Sequence, residues 1–177
     1  MADRETIKNA WLRNQKVVEL RPSKGIGTAT TKIRLHNGTT CEVTHKHWSF
    51  KVDIGKTEGG NNAGPGPGIL ERGALGSCLA IAYSQQAAVM GLQVDDIRIH
   101  VETDMDARGM LGIDDRPPGF KEIRYQVFIN SQEAPEDIEE MICKADRMSP
   151  VLDDFKRAIP VKRSIRINDE EYVTSAS

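Results

Sequence analysis

Apolar positions along the chain recur at two different spacings. Ile97, Ile99 and Val101 alternate with polar residues within residues 94–103, and Ile123, Tyr125, Val127 and Ile129 do the same further on. Alternation of this kind marks strands with one buried face. Residues 28–35 also alternate and are rich in threonine. His36-Asn37-Gly38-Thr39 follows, and Asn-Gly is the strongest short hairpin signal. Residues 40–44 then form the return strand, and Trp48, Phe50 and Val52 share one face of the next. The first third therefore predicts an antiparallel meander with one buried face. Residues 17–20 are predicted as a short strand. Ahead of them, residues 1–15 are polar and charged apart from Ile7, Trp11 and Leu12. That spacing fits a short amphipathic helix against the body or a second subunit.

The longest apolar stretch follows the meander. A turn rich in glycine and proline, residues 59–68, leads into Ile69-Leu70-Glu71-Arg72-Gly73-Ala74-Leu75-Gly76-Ser77-Cys78-Leu79-Ala80-Ile81-Ala82-Tyr83. Pro67 suits a first helical turn, where its missing N–H would be unpaired anyway. Apolar and small residues continue almost without a polar face to Met90, and Gly91 fits the C-cap. A helix apolar nearly all round is a buried one. Gly73 and Gly76 would let another backbone come close.

Pro135 opens a second helix, with Glu136, Asp137, Glu139 and Glu140 in its first turns, as the helix dipole favours. Ile138, Met141, Ile142, Ala145 and Met148 form its apolar stripe. Ser149-Pro150 breaks the pattern. Residues 151–158 make a third helix, residues 161–167 a last edge strand, and residues 169–177 a polar tail. Between the two long strands, residues 104–120 form an irregular loop, of a length that is often functional. The order of elements predicts an α+β fold, with the whole chain, residues 1–177, as a single domain.

Composition narrows the class. Hydrophobic residues make up 38% and charged residues 28% of the chain, as in a globular protein. The net charge of −2 gives no electrostatic case for nucleic acid or an anionic membrane. No apolar run reaches the length of a membrane span, and no signal-peptide pattern opens the chain. The expected location is the cytosol, where Cys41, Cys78 and Cys143 are reduced thiols.

Among candidate chemical groups, Cys78 stands out. It reads either as a nucleophilic thiolate or as a small buried hydrophobe, and local sequence favours the second. A reactive thiol needs a nearby cation or a helix N-terminus. Cys78 lies well inside its helix, and Arg72 is on another side of it. Arg21 or Arg34 would have to come from the first third of the chain. Cys41 and Cys143 have no neighbours that argue for reactivity. His45 and His47 lie on one strand face but have no evident third ligand. Asp104, Asp106, Asp114 and Asp115 lack calcium-loop spacing and read as a solvated loop. The glycine-rich turn lacks the lysine of a phosphate loop. No metal and no cofactor is expected.

Taken together, these residues resemble the OsmC/Ohr family. The resemblance rests on Gly59-Gly60 followed by Gly64-Pro65-Gly66-Pro67, joined to Ala74-Leu75-Gly76-Ser77-Cys78-Leu79-Ala80 in a buried helix, with Met148-Ser149-Pro150-Val151 far downstream. It covers roughly residues 16–167. The resemblance implies an OsmC-like fold, antiparallel sheets wrapped around a long buried central helix in an intertwined homodimer. It also implies thiol-dependent reduction of organic hydroperoxides, with Cys78 as the attacking cysteine. The family's resolving cysteine, which would form a disulfide with it, is replaced here by Ser149. Cys143, six residues earlier, is turned about 120° away on its helix. The family's arginine matches Arg34 or Arg21. The glutamate that some members carry early in the central helix has Ile69 at its register, with Glu71 nearby.

Two functions follow from the resemblance. One is a one-cysteine peroxidase, in which Cys78 is oxidised by an organic hydroperoxide and restored by an external thiol reductant. The other is a catalytically altered dimer that binds a small hydrophobic ligand in a pocket lined by Leu75, Leu79 and residues of the 104–120 loop.

Overall fold

Asp3 opens the first helix by accepting the Thr6 N–H at 2.8 Å, and the helix α1 then runs Arg4–Leu20. The computed structural model describes residues 3–168 and 170–172. Ile7 and Trp11 are half-buried where α1 crosses the central helix. The strand expected at residues 17–20 is instead the last turn of α1, closed by the Arg21 N–H to the Val17 carbonyl at 2.9 Å. Among the described residues no strand pairs with these, whereas extending an existing helix gains a backbone bond per residue.

Three antiparallel strands follow: β1 (Lys32–Asn37), β2 (Thr40–His45) and β3 (Trp48–Val52). The hairpin turns after Asn37, as the Asn-Gly pair predicts, and β1 begins later than the alternation suggests. Register sets Ile33 opposite Val43 and Val43 opposite Phe50, and sets Leu35 opposite Cys41 and Cys41 opposite Val52. These residues form one apolar face. The expectation that this face is buried fails within one chain. Trp48 is 66% exposed, and Phe50, Ile33 and Leu35 are also exposed; Val52 is buried. The meander reaches away from the rest of the chain, so its apolar face stays open.

The glycine-rich turn is fastened to the end of the meander by Asp53, only 2% exposed. Its carboxylate accepts the hydroxyls of Thr39 (2.7 Å) and Thr40 (2.8 Å) and the N–H groups of Ile54, Asn61 and Ala63. Gly64 passes so close to β3 that a Cβ there would lie 2.2 Å from the Lys51 carbonyl oxygen, so no other residue fits.

The central helix α2 spans Pro67–Met90 and ends at Gly91, as the sequence predicts. It lies over the hairpin of β4 (Val94–Met105) and β5 (Phe120–Ser131). A Cβ at Gly76 would meet the Val101 side chain at 3.3 Å, so this glycine serves close packing within the chain. On its other flank α2 meets α4 (Pro135–Arg147) and α5 (Pro150–Lys156). The core is Leu75, Leu79, Tyr83, Ala87, Met141, Ala145 and Leu152, with Ile97, Ile99, Val101, Ile123 and Val127 against it. Burial of α2 all round, the sequence expectation, is not found. Gly73, Ala74, Ser77 and Ile81 form an exposed stripe, because no element among the described residues covers that side. On α4, Met148 leaves the predicted stripe and is exposed.

The 104–120 segment is shorter and more ordered than an irregular loop. β4 continues to Met105, and a short helix α3 (Ala107–Met110) follows. Asp104, Asp106 and Asp114 are ion-paired rather than merely solvated, whereas Asp115 is exposed as expected. Asp106 gathers Arg108, Arg116 and Lys121, Asp114 holds Arg116, and Asp104 holds Arg124. At the C-terminal end the strand is shorter than expected, β6 (Ile165–Ile167), and pairs with β7 (Glu170–Tyr172) inside the expected polar tail. The rest of that tail, residues 169 and 173–177, lies outside the described residues.

Hydrogen bonds from the Thr39 hydroxyl and the other donors hold the Asp53 carboxyl well below the usual carboxylate range. A depressed native value stabilises the ionised anchor above the ordinary aspartate value of about 4, and that contribution fades as pH falls below it. Protection of the Asn61 and Ala63 amides from hydrogen exchange is therefore expected to decline below about pH 4. In Asp53→Asn it should be low at both neutral and acid pH. Protection independent of pH, or equal in the variant, would contradict this account of the turn.

Candidate active site

Cys78 sits midway along α2, half-buried, one residue before the fully buried Leu79. Helix spacing places Leu75, Leu79 and Tyr83 on one stripe, and that stripe is pressed against α4 and α5. Cys78 lies beside the stripe and so faces the junction of those two helices. Ser149 occupies that junction, between the end of α4 and the start of α5, and is 1% exposed. Its Oγ lies 3.4 Å from the Cys78 Sγ.

The hydroxyl has a second contact, since Ser149 is the N-cap of α5 and accepts the Leu152 N–H at 3.4 Å. A serine hydroxyl carries one proton and two lone pairs. With the Leu152 N–H on a lone pair, its proton is free to point at sulfur. A hydroxyl so aimed can hydrogen-bond to negative charge that a reaction places on the sulfur. Pro150 at the first position of α5 has no N–H to compete for that oxygen.

The other sequence candidates fall elsewhere. Arg34 stands opposite Glu42 in the β1–β2 pair. Arg21 caps the end of α1. Among the described residues, neither makes a hydrogen bond or ion pair with Cys78 or Ser149 within one chain. Arg72 donates to the Thr103 hydroxyl at 3.2 Å and makes no ion pair among the described residues. His45 contacts the Thr30 carbonyl at 2.9 Å through Nδ1, and His47 stacks against Trp48. Cys143 is exposed on α4, and Cys41 is half-buried on β2.

Leu75 and Leu79, expected to line a pocket, are buried in the core of this chain. The 104–120 segment instead lines a cleft of about 680 Å³ at the start of α2. Ile54, Ile69, Met105, Met110 and Phe120 supply its apolar surface, and Arg72 lies at one side. Arg72 precedes Cys78 by about 9 Å along the helix axis.

Sequence reasoning missed a polar cluster next to this site. The Tyr83 hydroxyl donates to Asp146 at 2.8 Å, and the Tyr125 hydroxyl donates to the same carboxylate at 3.3 Å. Burial, then the bond to Asp146, pushes the Tyr83 phenol far above its ordinary value, so it stays a donor. Two local signals pointed here. A tyrosine on a buried stripe needs a partner for its hydroxyl. An acid in the last turn of a helix opposes the helix dipole and needs a compensating contact.

The profile described as OsmC-like protein matches residues 59–164 of this chain. No curated protein matches it. Solved structures of similar fold include an OsmC-like protein from Mycoplasma pneumoniae, with a TM-score of 0.64, 15% identity, and coverage of 73% of this chain and 88% of that one. An organic hydroperoxide resistance protein, OsmC, from Legionella pneumophila has a TM-score of 0.53 and 17% identity, over 74% of this chain and 90% of that one. An OsmC-like protein of unknown function from Vibrio cholerae has a TM-score of 0.55 and 11% identity, over 72% and 93%. At these identities the structural likeness establishes the fold. No helix among the described residues is long and apolar enough to cross a membrane.

Proposed function

This chain belongs to the OsmC-like family, and on that premise we propose that it reduces organic hydroperoxides through Cys78 alone. The observation that carries this reading is the 3.4 Å contact between Cys78 Sγ and Ser149 Oγ. It sets a hydroxyl, in place of a second thiol, at the sulfur.

The Cys78 thiolate attacks the terminal peroxide oxygen. An S–O bond forms, the O–O bond breaks, and the alkoxide leaves and takes a proton to become the alcohol. Sulfur is oxidised to a sulfenic acid. Ser149 has no thiol with which to condense. An external thiolate therefore attacks the sulfenic sulfur, an S–S bond forms, and water leaves. A second external thiol cleaves that mixed disulfide and restores Cys78. The sum is one hydroperoxide and two thiols giving an alcohol, water and one disulfide. The apolar cleft at the start of α2 suits the hydrocarbon part of the hydroperoxide. It also favours the second reading, retention of a hydrophobic ligand without turnover. Arg34 remains a proposed activating cation, supplied by a partner chain.

The chain acts as one OsmC-like unit in a cytosolic homodimer. The open apolar face of the meander and the stripe of Gly73, Ala74, Ser77 and Ile81 support this, because large apolar patches on a lone chain mark interaction sites. Sedimentation at micromolar concentration is expected to give the mass of two chains, and the mass of one chain would count against the dimer.

A stoichiometric dose of cumene hydroperoxide should give a sulfenic acid at Cys78, trapped by dimedone and located by peptide mass. Cys78→Ser should give none. The same dose on Ser149→Cys should give a disulfide between positions 78 and 149 in place of the trapped adduct. An unmodified Cys78 in the wild type, under conditions that fully oxidise a two-cysteine relative, would sink the peroxidase reading and leave the ligand-binding one.

A further inference from the structure

We propose that Tyr83 and Asp146 are positioning residues for Cys78, acting through Ser149. The contacts form a closed ring. The Tyr83 hydroxyl, on α2, donates to the Asp146 carboxylate, on α4, at 2.8 Å. The Asp146 carbonyl accepts the Ser149 N–H at 3.4 Å. The Ser149 hydroxyl meets the Cys78 sulfur at 3.4 Å, and Cys78 returns to Tyr83 through little more than one turn of α2. Asp146 thus holds Ser149 by its backbone and is itself held to α2 by its side chain.

The Ser149 carbonyl accepts the Asp153 N–H at 3.0 Å, but the hydroxyl of the serine is held less firmly. Its two side-chain contacts are both long, to Cys78 and to the Leu152 N–H. Met148 is the single residue between the end of α4 and the Ser149 cap, so the last turn of α4 decides where the hydroxyl stands. Asp146 makes no ion pair among the described residues, and the phenols of Tyr83 and Tyr125 are its side-chain donors. Cys143 is the other titratable group on α4 near Tyr83. Tyr83 is 0% exposed, so its ring fills the core as a phenylalanine would. Its hydroxyl adds the link to Asp146, and that link sets the register of α4 on α2.

The proposal rests on Cys78 being the reacting thiol, but its test uses no peroxide. Alkylation of Cys78 by iodoacetamide at neutral pH would be followed by peptide mass, together with the ultraviolet absorbance of the thiolate. Tyr83→Phe and Ser149→Ala are each expected to slow alkylation roughly fivefold, the worth of one hydrogen bond to sulfur. Both should lower the thiolate absorbance. The double variant should match Ser149→Ala alone, because a residue acting through Ser149 has nothing left to position. Tyr125→Phe, which weakens the same carboxylate anchor at its longer bond, should shift both readouts less and in the same direction. It carries the test if Tyr83→Phe fails to fold. Additive slowing in the double variant would overturn the proposal, as would a Tyr83→Phe protein that melts earlier with Cys78 alkylation unchanged. If the couplings hold and no peroxide reacts, the positioning stands and the peroxidase reading fails.

Discussion

Burial of one stripe of α2 organises this molecule. Leu75, Leu79 and Tyr83 are pressed between the β4–β5 hairpin and the pair α4 and α5. Burying a large apolar side chain is worth roughly 2 kcal/mol, against about 1 kcal/mol for a hydrogen bond. Packing therefore decides that α4 lies on α2, and the polar contacts decide where along α2 it stops. Cys78 takes its place from the stripe, being half-buried at its edge, and Ser149 takes its place from the helix that packs on it. The site follows from the core and adds little stability of its own.

The same constraint explains what the single chain leaves open. The β4–β5 hairpin and the helices α1, α4 and α5 leave one side of α2 uncovered. The uncovered side of α2 carries small residues, and the meander presents an apolar face that its own chain does not use. Asp53 ties the two regions together through the glycine-rich turn, so the meander is anchored at one end. A second copy is the proposed cover for both surfaces, and the proposed source of a cation for Cys78. Within one chain the candidate arginines stand elsewhere.

Much of the fold was legible in the sequence, for identifiable reasons. Pro67 and Gly91 bound a long apolar pattern, so α2 emerged with its ends in place. The Asn37-Gly38 pair set the first hairpin, and period-two alternation set β4 and β5. Residues 17–20 misled because four residues containing Val17 and Val18 fit a strand or a helix end equally well, and only the absence of a pairing neighbour decides. The exposure of Trp48 and Phe50 was not legible, since alternation shows that a face is apolar and not what covers it. Asp106 looked like part of a solvated acidic loop because Arg116 and Lys121 reach it across the hairpin. The pairing of Cys78 with Ser149 came from the resemblance of two motifs, and spacing alone would not have joined them. Tyr83 and Asp146 carried local warnings, a hydroxyl on a buried stripe and an acid at a helix end, but nothing in either motif connects them.

In the proposed reaction Cys78 completes its cycle without a second thiol from the protein. Its most direct test is steady-state consumption of an organic hydroperoxide, driven by an external monothiol, in a variant that combines Cys41→Ser and Cys143→Ser. This variant is expected to consume hydroperoxide as fast as the wild type. Loss of turnover with Cys78 still in place would mean that another thiol takes part, and would contradict it.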